Sequence, residues 1–81
     1  MKAPTERQAQ ILGLLVEHLL QMHGTAPIRW LCARTGIRST NGMKEHLAAL
    51  QRKGYILREP FACAVTILHH ADGRLFTLRA D

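Results

Sequence analysis

The sequence predicts an α+β fold in which three helices are followed by a β-hairpin. Apolar residues recur at helical spacing up to residue 53, and the pattern changes to the alternation of strands after Gly54. Capping residues and glycines mark the helix ends, and Asp72-Gly73 is a strong signal for a two-residue hairpin turn. This order is that of a winged helix–turn–helix. Because 81 residues make one domain, we expect a single domain over residues 1–81.

The composition is that of a small, basic, folded protein. Hydrophobic residues make up 47% of the chain and aromatic residues only 5%, so aliphatic side chains must form the core. The net charge of +5 favours an anionic partner, either nucleic acid or an acidic membrane surface. No apolar run approaches the roughly 20 residues of a membrane span, and the N-terminal residues lack the apolar stretch of a signal peptide. We therefore expect a cytoplasmic protein.

The first helix is expected at residues 6–22. Thr5 and Gln8 fit a Thr-x-x-Gln capping box ahead of an apolar run. The inner stripe should consist of Gln8, Leu12, Leu15, Val16, Leu19 and Met22, with Ile11 at its edge. Leu14 falls nearly opposite this stripe. The stretch His23–Pro27 contains both Gly and Pro and should end the helix.

Two shorter helices are expected next. The second should span residues 28–35 and end at Gly36, and the third should span residues 40–53, with Ser39 as its N-cap and Gly54 after its end. Their inner faces are Ile28, Leu31, Cys32 and Thr35 on the second helix, and Met43, Leu47 and Leu50 on the third. This pair is the expected helix–turn–helix.

The remaining residues, about 55–79, should form the wing. A short strand at 55–57 precedes two longer strands at 64–71 and 74–79, which Asp72-Gly73 connects. If Ala71 pairs with Arg74, one face can pack on the helices and the other faces away. The packing face is Val65, Ile67, His69, Phe76 and Leu78, and the other face is Thr66, Leu68, His70, Leu75, Thr77 and Arg79.

With its inner stripe on the core, the third helix presents a polar outer stripe: Asn41, Lys44, Glu45, Ala48 and Arg52. These residue types suit base recognition, because Asn pairs with adenine, Glu accepts from the cytosine amino group and Lys donates to guanine. Ser39 and the free amides of the first turn can hold a phosphate. Gly42 lacks a side chain, which would let the helix start approach a groove floor closely. A surface helix with ordinary capping residues is the alternative explanation.

Further basic residues surround this helix and could contact phosphate: Arg34, Arg38, Arg52 and Lys53. Arg74 lies near the expected hairpin tip, beside His69 and His70, where cationic side chains suit the DNA backbone or the minor groove. Each of these residues can equally be a solvated surface charge, because a phosphate contact needs position as well as charge.

Neither a metal site nor a catalytic site is expected. The two cysteines, Cys32 and Cys63, fit small buried residues with reduced thiols, and the five histidines do not supply a ligand set. No nucleophile with its base, phosphate loop or metal cluster is visible. We therefore expect no cofactor, no metal and no enzymatic activity.

Residues 1–57 resemble the DNA-binding domain of the LexA repressor family, the regulators of the bacterial DNA-damage response. The resemblance is carried by Met1-Lys2-Ala3, Thr5, Arg7-Gln8, His18, Arg34, Gly36, Arg38-Ser39, Asn41, Glu45-His46-Leu47, Ala49-Leu50, Arg52-Lys53-Gly54 and Ile56. It implies a winged helix–turn–helix that binds operator DNA in the major groove. It also implies that the residues facing the bases are Ser39, Asn41, Gly42, Lys44 and Glu45.

Two positions depart from the family's pattern at this helix. Gly42 stands where the family usually has Ala, and Lys44 stands where it usually has Glu. Because a reversed charge at a base-contacting position should change the preferred operator, the family's operator is not transferred to this chain. The family's self-cleaving Ser/Lys protease domain has no counterpart in this sequence, so autocleavage is not expected.

Two functions remain open from the sequence. The first is a sequence-specific regulator of transcription, a repressor that binds double-stranded DNA as a homodimer and is associated with the nucleoid. The alternative is a small winged-helix adaptor of phage or mobile-element origin that binds a protein partner and not DNA. Surfaces for a protein partner would include Trp30, Leu14 and the hairpin residues Leu68 and Leu75.

Overall fold

The computed structural model describes residues 2–59 and 65–77. In chain order the elements are α1 (Glu6–Met22), α2 (Ile28–Thr35), α3 (Thr40–Arg52), β1 (Ile56–Arg58) and β2 (Val65–Ile67). The strands pair as a two-stranded antiparallel sheet. The predicted winged helix–turn–helix order is confirmed. The first two helices have the expected bounds, and α3 ends one residue early.

The start of α1 is the reciprocal cap that the sequence predicts. The Gln8 amide donates to the Thr5 hydroxyl oxygen (3.2 Å), and the Thr5 amide donates to the Gln8 side-chain oxygen (3.0 Å). Two amides that a helix start leaves without partners are thereby satisfied. The helix ends at His23, which adopts a left-handed conformation with a φ of 56°.

One apolar core lies between the three helices and the sheet. Its buried members are Ile11, Leu12, Leu15, Ala26, Leu31, Met43, Leu47, Leu50, Tyr55, Ile56 and Ile67. The predicted inner stripe of α1 is partly wrong, because Met22 is 56% exposed while Ile11 is fully buried. Leu14 is also half-buried against this core and not opposite it. The reason is tertiary: the core runs along the Ile11 side of α1 and reaches Leu19 but not Met22.

A buried histidine, His18, holds the segment that connects α1 to α2. No sequence pattern predicted this role. His18 is 8% exposed, its Nδ1 lies 2.8 Å from the Gly24 carbonyl oxygen, and its ring meets the edge of Trp30 at 4.9 Å between centroids. Trp30 is half-buried and packs against the core, and the Arg34 guanidinium lies 4.6 Å from its ring centroid. Trp30 therefore covers the edge of the core.

The turn between α2 and α3 is held by side chains at its start, around Thr35. Gly36 has a φ of 78°, a conformation that costs a glycine little. The Thr35 hydroxyl donates to the Leu31 carbonyl (2.8 Å) and accepts from the Ile37 amide (3.3 Å). Arg7 of α1 donates to the Thr35 carbonyl (2.8 Å). These bonds hold the end of α2 and the first residues of the turn in place.

The wing differs from the prediction in its strand lengths and register. The regular ladder joins β1 to β2, with Ile56 opposite Ile67, instead of joining two long strands across Asp72-Gly73. It ends where the amides of Leu68 and His69 both donate to the Tyr55 carbonyl, two residues facing one as in a β-bulge. The bulge therefore limits β2 to three residues.

The second turn of the wing has one more residue in its loop than expected. The bridge pairs His69 with Leu75, one residue away from the register that an Ala71–Arg74 pair would set. The Gly73 amide donates to the His70 carbonyl, and Gly73 has a φ of 90°. The bulge and the longer loop each shift the inward–outward alternation of side chains by one residue. Because the two shifts cancel, Phe76 still packs on the core, as predicted. Leu78 and Arg79 lie outside the described residues.

Candidate nucleic-acid interface

The third helix has two distinct faces, as its sequence predicts. Met43, Leu47 and Leu50 are buried against the core. The outer stripe of Asn41, Lys44, Glu45 and Arg52 is exposed, and Ala48 between them is half-buried. The outer stripe thus presents two cations, one carboxylate and one amide to solvent over three turns of helix.

The start of α3 has an ordered cap. The Ser39 hydroxyl oxygen accepts from the Gly42 amide (3.1 Å), which leaves the hydroxyl hydrogen able to donate to a ligand. The amides of Thr40 and Asn41 project from the helix start, where the helix dipole favours negative charge. Ser39 and Asn41 are both exposed at this end. The arrangement can receive an anionic oxygen.

Gly42 is not required by the packing of the protein itself. A Cβ atom built at this position would lie 3.6 Å from the Ser39 Cβ and 3.7 Å from the Ile37 Cγ2, which are ordinary contacts. The protein could therefore hold Ala at this position without strain. That a missing side chain serves close approach to DNA stays a prediction.

Beside the outer stripe runs a groove that we call the wing-side groove. It is bounded by the start of α2, by Thr40, Lys44 and Gln51 of α3, and by Arg58 and Val65 at the strand ends. Its floor is apolar and its rim carries three cations, Arg29, Lys44 and Arg58. Lys44 therefore belongs both to the outer stripe and to this groove. Sequence reasoning missed Arg29 and Arg58.

The other basic residues predicted near this helix have different surroundings. Arg38 and Arg52 are exposed, in the turn before α3 and on its outer stripe. Arg34 instead stacks on Trp30. The ammonium of Lys53 donates to the Gln8 side-chain oxygen (2.6 Å) and to the Ala3 carbonyl (3.2 Å), so it ties the end of α3 to the N-terminal segment.

Arg74 is not brought to α3. Its side chain forms an ion pair with Asp72 (2.6 Å), and the turn that holds both residues lines a shallow depression together with Ala9, Gly13 and Val16 of α1. The Arg74 backbone amide donates to the Asp72 carboxylate (3.0 Å), and this bond lowers the pKa of that carboxyl below its usual value. The turn therefore lies beside α1 and is not among the residues that line the groove.

The side chains that could ligate a metal are scattered over the fold. Within residues 2–59 and 65–77, no group of three or more His, Cys, Asp or Glu side chains could hold a metal ion. Cys32 is a half-buried free thiol, and Cys63 lies outside the described residues. No helix in the described part is both long and apolar enough to cross a membrane.

The order of elements and the exposed polar stripe define a winged helix–turn–helix domain of the DNA-binding class. A family model described as the LexA DNA binding domain matches residues 1–63. The match covers the three helices and β1. The chain belongs to the LexA DNA-binding domain family, as the resemblance in its sequence predicts.

Individual relatives agree with the family assignment. The LexA repressor of Sorangium cellulosum (strain So ce56) is 44% identical over 59 residues, which cover 73% of this chain and 26% of the relative. The LexA repressor of Edwardsiella ictaluri (strain 93-146) is 49% identical over 57 residues, which cover 69% of this chain and 28% of the relative. The chain therefore spans about a quarter of the length of the curated relatives it matches.

Proposed function

We propose that this chain is the sequence-specific, double-stranded DNA-binding domain of a LexA-like transcriptional repressor and that it places α3 in the major groove. The observation that carries the proposal is the exposed outer stripe of α3 on a domain of the LexA DNA-binding family. A net charge of +5 suits a polyanionic partner. The winged helix–turn–helix fold supports the proposal but is also used for other purposes.

In this proposal the exposed side chains of α3 read the base edges. Asn41 can make a bidentate contact with adenine, Glu45 can accept from cytosine, and Lys44 can donate to guanine. Ser39 and the free amides beside it would hold a phosphate at the helix start. Arg38 and Arg52 would contact phosphates and position the helix without reading sequence.

We further propose that the repressor acts as a homodimer on a two-fold operator. A single domain of this size makes few contacts to one half-site, and two linked half-sites multiply the affinity. Residues 1–81 would act as one domain, in the cytoplasm and associated with the nucleoid. The domain would act by binding alone, with no cofactor and no catalysis.

A binding assay with matched variants tests this function. We expect Asn41→Ala and Glu45→Ala to reduce the preference for promoter DNA over random competitor DNA, by about 1–3 kcal/mol for each lost base contact. Arg52→Ala should weaken binding to both kinds of DNA and reduce the salt dependence. If all three variants bind like the unmodified protein, α3 is not the recognition helix.

A protein partner is the second candidate, and one observation favours it. Leu57 and Leu75 of the wing are 46% and 69% exposed. Large exposed apolar side chains are typical of interaction surfaces. Leu57→Ser and Leu75→Ser would abolish such an interaction and leave DNA binding unchanged. Salt-insensitive binding to a protein, without measurable affinity for DNA, would support this candidate over the first.

A further inference from the structure

Hydrogen bonds between different elements connect the described walls of the wing-side groove. The Arg58 amide donates to the Gln51 side-chain oxygen (3.2 Å), which ties β1 to α3. The Val65 amide donates to the Thr25 hydroxyl oxygen (3.1 Å), which ties β2 to the connection before α2. These two bonds connect the strand ends that line the groove to α3 and to the segment before α2.

The rim of this groove is positively charged. Arg29 comes from α2, Lys44 from α3 and Arg58 from β1, while Glu59 is the one carboxylate among the described lining residues. Within the described part of the chain the ion pair between Arg74 and Asp72 is the only one, so the three cations at the rim have no carboxylate partner there. Cations that line one groove without such partners fit an extended anion.

The groove is continuous with the face of α3 that would enter DNA. An α-helix with its side chains is about 10–12 Å wide, close to the width of the major groove, which is about 12 Å. A helix that fills the major groove therefore has a phosphate backbone along each flank. On one flank of α3 the neighbouring surface is the wing-side groove, since Thr40, Lys44 and Gln51 line it.

From these observations we infer that the wing-side groove holds the sugar–phosphate backbone of one DNA strand, with Arg29 and Arg58 as its phosphate contacts. This inference rests on the proposed function and extends it beyond α3. Lys44 stands at the boundary, where its ammonium can reach a base edge or the phosphate in the groove. Glu59 repels the same backbone and weakens binding.

Three groove variants test this assignment through the salt dependence of DNA affinity. We expect Arg29→Gln and Arg58→Gln each to lower affinity roughly 3–10-fold near physiological salt and to reduce the slope of log K against log salt by about 0.9. The preference among DNA sequences should not change, because phosphate contacts carry no sequence information. Glu59→Gln should raise affinity.

Lys2→Gln is the matched control, because it also removes one positive charge. Lys2 lies beside Tyr55 and does not line the groove. Circular dichroism melting of each variant checks that the fold is intact. The groove assignment is overturned if Lys2→Gln lowers affinity as much as the arginine variants do, or if folded Arg29→Gln and Arg58→Gln proteins bind like the unmodified one. If the unmodified protein binds DNA and Asn41→Ala loses specificity, such a result contradicts only the assignment of the groove, and the proposed function stands. If the unmodified protein binds no DNA, both fail.

Discussion

Among single residues, Arg52 and Lys53 are neighbours with the same charge and different surroundings. Arg52 is exposed on the outer stripe of α3, whereas the Lys53 ammonium lies 2.6 Å from the Gln8 side-chain oxygen. Gln8 also closes the cap of α1, because its side-chain oxygen accepts from the Thr5 amide. Lys53 therefore stabilises the junction of α1 and α3, and Arg52 is available for a ligand.

This difference predicts that the same substitution affects stability at Lys53 and DNA binding at Arg52. Lys53→Met should lower the free energy of unfolding by about 1–2 kcal/mol, because hydrogen bonds from a half-exposed cation are lost while the apolar stem remains. Arg52→Met should change stability by less than about 0.5 kcal/mol and weaken DNA binding. Urea unfolding and a DNA titration measure the two effects. A stable Lys53→Met protein with weakened DNA binding would instead make Lys53 a phosphate contact.

Single residues also differ in whether sequence reasoning could find their roles. The outer stripe follows from helical spacing alone, so Asn41 and Glu45 could be assigned to an exposed face. The contact between Lys53 and Gln8 spans 45 positions, and the groove around Arg29 and Arg58 is built from three elements. No local pattern encodes either of these.

Among the elements, the helices are specified locally and the strands are not. Thr5, Ser39 and Gly36 mark helix ends through bonds to neighbours within a few positions, which explains why the helix bounds could be predicted. The strand lengths depend on the bulge opposite Tyr55, a contact between residues distant in sequence. Alternating residues could therefore predict a wing and which side packs inward, but not its register.

Two glycines test this local specification in opposite directions. Gly13 lies inside α1, where an added Cβ atom would meet open space, so Gly13→Ala should raise the free energy of unfolding by roughly 0.5–1 kcal/mol. Gly36 has a φ of 78°, so Gly36→Ala should lower it by about 1 kcal/mol or more. Urea unfolding of both variants checks the signs. Destabilisation by Gly13→Ala would mean that α1 is crowded at this position.

In the molecule as a whole, the exposed outer stripe, the wing-side groove and the wing are distributed around α3. The outer stripe carries side chains that can distinguish bases, while the groove carries cations that can hold a backbone. The turn with Arg74 lies beside α1 and does not line the groove. A protein that binds the major groove needs both kinds of contact, base contacts for specificity and phosphate contacts for position.

The proposed role of the whole domain is that α3 reads DNA sequence, with Lys44 giving this chain its own preference. Selection of bound duplexes from random DNA tests this role, with Lys44→Glu compared against Lys2→Glu, which makes the same charge change outside the outer stripe of α3. We expect the unmodified protein to enrich a short two-fold motif, Lys44→Glu to alter one position in each half-site, and Lys2→Glu to keep the motif. Enrichment of no motif, or the same motif from Lys44→Glu and the unmodified protein, would show that α3 does not read sequence in this way.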